Sequence, residues 1–157
     1  MRQHPLVVRK MDDLKRPAAM SARQIDELLT KEFPQGYHSG CGLVIERVDY
    51  GNCRVRRSFD ESIVRPGGTV SGAKMMELVD FAMYVAVFSA YGALPLAVTT
   101  NLSINFLRKP APRDIIAYVR LMKIGKKLTV GEVTISSDGF SEPVAHAVST
   151  YSIPASR

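Results

Sequence analysis

Residues 73–91 read AKMMELVDFAMYVAVFSAY, and this run decides how the rest of the chain must be arranged. It is long enough for about five helical turns, and Gly92 and Pro95 stop it. From Phe81 to Val98 no charged residue occurs, which raises the question of a membrane span. The uninterrupted helical part falls short of the roughly 20 apolar residues a bilayer crossing requires. A helix apolar on almost every side must instead be buried on almost every side, so the chain has to supply something that wraps it.

The wrapper is legible on both sides of the helix. Downstream, TTNLSINFLRK (99–109) alternates Leu102, Ile104 and Phe106 with Asn101, Ser103 and Asn105, the period of a strand. IIAYVRLMKI (115–124) follows, then a tight turn at Gly125-Lys126, KLTVGEVTIS (127–136), a turn at Asp138-Gly139, and PVAHAVSTYSI (143–153). Leu128 and Val130 fall on one face of their strand but Val133 and Ile135 on the other, so a bulge is predicted at Gly131. Upstream, LVIERV (43–48) and CRVRRSF (53–59) flank a Tyr50-Gly51-Asn52 turn and predict a half-buried hairpin. Ser21 offers an N-cap to an amphipathic helix carrying Ile25, Leu28, Leu29 and Phe33, stopped by Pro34 and Gly36. The expected fold class is α+β, a curved antiparallel sheet around one long central helix. Residues 1–20 lack periodicity and read as an N-terminal arm, mobile or held at an interface, leaving 21–157 as a single domain.

Composition agrees with one globular unit: 157 residues, 46% apolar and 23% charged. Cys41 and Cys53 stand twelve residues apart and only three His accompany them, so neither a zinc pattern nor a disulfide framework is present. No metal or cofactor is expected, and a reduced, cytoplasmic setting follows from the cysteine usage and from a first segment without an apolar signal core. The net charge is +6, and residues 101–127 hold seven Lys and Arg against Asp114 alone. Such a concentration suits a phosphate-bearing partner. Nucleic acid is excluded because the basic residues lack the interleaved aromatics of an RNA-reading sheet.

Asp80 is the sharpest single feature. It stands in about the third turn of the apolar helix, where it has no capping role and must be paired or pay for desolvation. A carboxylate in such a place serves either as a structural hydrogen-bond partner or as a base or nucleophile. Gly72 opens the helix behind a Gly-rich loop, where free backbone N–H groups and the positive end of the helix dipole suit a developing oxyanion.

The stretch from Arg65 to Asp80, RPGGTVSGAKMMELVD, resembles the loop-and-helix motif N-x-x-G-x-x-H-G-G-x-x-x-x-L-x-D of the hot-dog fold thioesterases of the PaaI type, with Gly68, Gly72, Leu78 and Asp80 on its positions. The stretch VTTNLSINFLRKP (98–110) resembles the family's third strand, and the resemblance spans about residues 40–153. It implies hydrolysis of an acyl-CoA thioester, with Asp80 as catalytic carboxylate, the Gly72 N–H polarising the carbonyl, and Thr99 helping to place the water. It also implies a homodimer or homotetramer whose sites are built from two subunits. Three positions depart from the motif: Arg65 replaces Asn, Ser71 replaces His and Ala73 replaces the second Gly. Arg65 is expected to act on Asp80, and Ser71 either caps the helix or joins Gly68 in contacting substrate.

Coenzyme A, as part of the substrate and not a cofactor, gives the basic cluster a partner, with Arg108, Lys109, Lys126 and Lys127 as candidate grips on its phosphates. Tyr84 and Phe88, four and eight residues past Asp80, are candidate walls of the acyl pocket. His146 reads as a sheet histidine without a catalytic part. Two alternatives use the same pocket. A hot-dog hydratase or dehydratase could employ Glu77, but no His lies between His38 and His146 to partner it. A non-catalytic acyl-CoA sensor is the other.

Overall fold

Ser21 caps the first helix, α1 (Ala22–Glu32), reciprocally: its hydroxyl accepts the Gln24 N–H, and the Gln24 side chain accepts the Ser21 N–H. This computed structural model describes residues 16–155. Ile25 and Leu29 form the buried face of α1, and the Phe33 ring that ends it lies so close over Gly36 that any Cβ there would collide with it. The start of the predicted arm, residues 1–15, lies outside the described residues. Its last part packs on the body: the Arg16 guanidinium sits 4.4 Å from the centre of the Tyr50 ring, and the Ala19 N–H donates to the Ser89 carbonyl over 2.7 Å.

The strands are β1 (Leu43–Asp49), β2 (Asn52–Arg57), β3 (Val64–Arg65), β4 (Thr69–Val70), β5 (Val98–Phe106), β6 (Ile115–Ile124), β7 (Leu128–Ser137) and β8 (Pro143–Ser152). The long helix α2 (Gly72–Tyr91) stands between β4 and β5. Six strands form one sheet in the order β1-β2-β6-β7-β8-β5, every neighbour antiparallel. All six touch α2. Laid flat, five inter-strand gaps of about 4.8 Å would span about 24 Å, more than twice the width of a helix at about 10 Å. One helix meets all six strands only because the sheet curls round it, as the apolar run requires.

The core forms between the helix and the concave side of the sheet. Leu78, Val79, Ala82, Met83 and Val85–Ala90 are buried on α2, facing Val55, Ala117, Val119, Val133 and Ile135. One stripe of α2 escapes the sheet, carrying Ala73, Glu77, Asp80 and Tyr84 at helical spacing.

The predicted bulge is misplaced. β7 runs without a break, with Thr129, Gly131, Val133 and Ile135 all turned inward and Leu128 exposed. The extra residue is Met122 on the partner strand β6, where the register moves from Leu121↔Gly131 to Lys123↔Val130. The reason is local. The Thr129 hydroxyl takes an inward place by donating to the Lys123 carbonyl, and at Gly131 the Met83 sulfur stands 2.6 Å from where a Cβ would be. A polar residue and a glycine thus fill slots that a hydrophobic pattern cannot mark. The hairpin β3–β4 was also not predicted, since strands of two residues carry no periodicity. Its turn holds Gly67 and Gly68 at φ of 97° and 72°, which L side chains rarely adopt.

Candidate active site

Asp80 projects from the uncovered stripe of α2, and two hydroxyl groups meet it from the sheet. Thr99 near the start of β5 donates to Oδ1 of Asp80. Tyr151 on β8 donates to the same Oδ1 at 2.9 Å and to the Asp80 carbonyl at 2.9 Å. Thr99 and Tyr151 are cross-strand partners, so strand pairing alone delivers both hydroxyls to one point. Among the described residues, Oδ2 has no hydrogen-bond partner. Burial and the nearby Asp80 charge push the Tyr151 hydroxyl well above the usual phenol range, so it stays protonated and remains a donor. The Tyr84 ring stacks on Tyr151 at 6.2 Å, and its own hydroxyl donates to the Pro95 carbonyl at 2.7 Å, bracing the loop that leads into β5.

Asp80 lies at the wall of a cavity of about 550 Å³. Tyr84 and Phe88, whose rings stand 4.5 Å apart, line it from α2 as expected, and Phe88 is fully buried. The opposite wall comes from α1 and the residues after it, with Leu28, Phe33 and Gly36. Neither that wall nor Tyr151 was recognised in the sequence. In β8 the larger apolar residues Val144 and Val148 alternate with His146 on one phase, whereas the phase facing the helix is Ala145, Ala147, Ser149 and Tyr151. Three small residues followed by one long aromatic is the signal that could have marked it: the small ones let the helix approach, and the long one reaches its flank.

Gly72 belongs to a different cleft. It lines a depression of about 750 Å³ with Arg65, Thr69, Phe106, Arg108 and Lys109. The Ser71 hydroxyl accepts the Lys74 N–H at 3.2 Å and so caps α2. Gly72 as first residue of the helix has no intrahelical acceptor for its N–H, and a Cβ on it would stand 3.0 Å from the Phe106 ring. Thr69 contributes a buried hydroxyl without a partner among the described residues. Gly68 is in the turn between β3 and β4, beside the cleft but not on its wall. Eight residues at about 1.5 Å rise put Gly72 about 12 Å along the helix from Asp80. Within one chain, therefore, the carboxylate and the proposed oxyanion donor do not meet, and Arg65 accompanies Gly72 instead of pairing with Asp80.

The four candidate phosphate grips also separate. Arg108 and Lys109 follow β5, where Phe106 pairs with Ala145. Lys126 and Lys127 are exposed in the β6–β7 turn, at the end where Leu128 and Val98 both pair with Ser152, and they line neither cleft. His146 stands on the outer face of the sheet with Nε2 3.4 Å from Glu132, away from both clefts. Among the described residues no three His, Cys, Asp or Glu side chains converge as a metal site needs, and no helix is long and apolar enough to cross a membrane.

Comparison with known proteins agrees with this architecture. Residues 67–142 match the family model of the thioesterase superfamily. A protein of Saccharolobus solfataricus that carries an esterase name is 29% identical over 132 residues, covering 84% of this chain and 85% of its own. The crystal structure of a Silicibacter protein assigned as a thioesterase superposes with a TM-score of 0.79 at 38% identity, over 87% of this chain and 94% of that one. PaaI of Escherichia coli, from the phenylacetic acid degradation operon, shares the fold with a TM-score of 0.73 at 20% identity, over 85% and 94% of the two chains. With a curved six-stranded sheet around one helix and this match in sequence and structure, the chain belongs to the thioesterase superfamily and has its hot-dog fold.

Proposed function

We propose that the protein hydrolyses an acyl-CoA thioester, with Asp80 as the catalytic carboxylate. The observation that carries this reading is a carboxylate held by two hydroxyl donors at the wall of a cavity that Tyr84 and Phe88 also line. In the reaction the thioester C–S bond breaks, the acyl carbon gains a water oxygen, and the thiol leaves with a proton. Asp80 either takes the proton from that water or attacks the carbonyl carbon itself, in which case water opens the resulting anhydride. The acyl group occupies the cavity beside Tyr84 and Phe88. Arg65, Arg108, Lys109 and the unpartnered Thr69 hydroxyl, gathered beside the Gly72 N–H, suit the phosphates and carbonyl of the coenzyme A ester.

The separation of Gly72 from Asp80 supports a site shared by two copies, one giving the carboxylate and the other the oxyanion donor. β5 is a sheet edge with Val98, Phe106 and the adjacent Leu107 exposed, and a second copy pairing there would cover them.

Thiol release from a panel of aryl- and alkyl-CoA thioesters tests the reading. Wild-type protein is expected to turn over at least one member, and Asp80→Asn to lose about a hundredfold or more of that rate while still binding coenzyme A. Undiminished turnover by Asp80→Asn would remove Asp80 from the chemistry. Binding of coenzyme A esters with no thiol release from any of them would replace hydrolysis by a sensor role.

A further inference from the structure

We infer that Tyr151 is a positioning residue that, with Thr99, holds Oδ1 of Asp80 and leaves Oδ2 as the reacting oxygen. The inference rests on the thioesterase reading of the same site. Both hydroxyl donors converge on Oδ1, and Oδ2 has no partner among the described residues. A carboxylate on a helix has two soft side-chain torsions, and fixing one oxygen from two strands removes both degrees of freedom. The two donors are themselves fixed by their register, Thr99↔Tyr151. Tyr151 is buried, wedged against the Tyr84 ring, and its single proton is shared between the Asp80 carbonyl and Oδ1. It therefore ties the side chain to its own helix backbone, which Thr99 does not do. Position 65, where the related motif carries an Asn, holds an Arg that stands at the other cleft, so within one chain the sheet hydroxyls are the groups that orient this carboxylate.

Both hydroxyl donors meet one oxygen of Asp80. The other titratable groups on the cavity wall around it are Glu77 and Tyr84 of α2, Glu32 of α1 and Tyr151 itself. Neither Glu donates to Asp80, so removing the phenol hydroxyl takes away one of its two donors without removing a charge.

Tyr151→Phe keeps the ring and its packing and deletes only the hydroxyl. The direct readout is the ¹³C chemical shift of the Asp80 carboxyl carbon at neutral pH in protein labelled with ¹³C-aspartate, its signal identified by its absence from Asp80→Asn. That signal is expected to move in Tyr151→Phe, which has lost one of the two donors to Oδ1. On a thioester that the wild type hydrolyses, kcat is expected to fall about tenfold with KM changed less than about twofold, because orientation and not binding has been lost. Thr99→Val should act in the same direction and Thr99→Ser should restore the wild-type signal position. An unmoved carboxyl signal in folded Tyr151→Phe overturns the inference whether or not a substrate is in hand, and so does an unchanged kcat. Turnover that survives Asp80→Asn overturns the thioesterase reading separately, and the carboxyl signal then still decides whether Tyr151 holds the carboxylate.

Discussion

Arg57 shows how a single residue can be both legible and surprising. It alternates with Cys53 and Val55 on the inward face of β2, yet a guanidinium on that face needs partners. It finds them at the strand end, donating to the Ser58 carbonyl at 2.7 Å, to Asp60 at 2.9 Å and to Ser62 at 3.3 Å. The Ser62 hydroxyl, followed by the Arg57 guanidinium, pulls the Asp60 carboxyl down to about 2. A carboxyl depressed in the folded state stabilises the fold fully above its unfolded value of about 3.9 and loses that contribution as pH falls towards 2. Asp60→Asn should therefore be less stable than wild type at neutral pH, with the difference shrinking below about pH 4. Urea unfolding at a series of pH values checks this, and a difference independent of pH would contradict it. Asp80 illustrates the opposite balance: its oddity on an apolar helix is plain in the sequence, and the family resemblance marks Thr99 as a site hydroxyl, but nothing in the sequence marks Tyr151, which reaches it from β8.

Among the elements, α2 and the strands after it were the most legible, since an unbroken apolar run and strict alternation both survive as patterns in one dimension. What failed did so where the side chain that decides the structure is small or polar. Gly131 reads as a bulge only until Met83 is seen occupying the space above it. Gly131→Ala should cost about 1–3 kcal/mol through overpacking, measured as a lowered unfolding midpoint; a neutral outcome would mean that Met83 swings away freely. The inward phase of β8 is hidden for a similar reason, because Ala145, Ala147 and Ser149 announce proximity to a helix and not hydrophobic burial. The roof of the cavity was missed because Leu28 and Phe33 looked like the ordinary buried face of an amphipathic helix.

At the scale of the whole molecule, the helix length that separates Gly72 from Asp80 makes a prediction about assembly. Gly72→Pro removes the candidate oxyanion donor at a helix position that suits proline backbone, the extended backbone of Ser71 is compatible with a following proline, and the exposed Phe106 ring has to give way to the new Cβ. If one thioester is served by two copies, Gly72→Pro and Asp80→Asn should each be inactive alone. Co-refolding equal amounts should return about a quarter of wild-type thiol release, because half of randomly assembled dimers contain one intact site of two. No recovery in demonstrably mixed dimers would place the donor and the carboxylate in the same chain or assign the oxyanion to another group.

The cavity has two sides built by different parts of the fold. Its carboxylate, hydroxyls and aromatic floor come from α2, β5 and β8, which also build the core, whereas its roof comes from α1, which packs on β1 and contributes nothing to the hydrogen bonds at Asp80. If the cavity takes the acyl group, α2 answers to both reactivity and acyl size, whereas α1 answers to acyl size alone. The residues around Leu28 and Phe33 are free to drift under selection for a new substrate while the machinery beneath them stays under selection for stability, and a scaffold divided in that way can acquire a diet without relearning its chemistry.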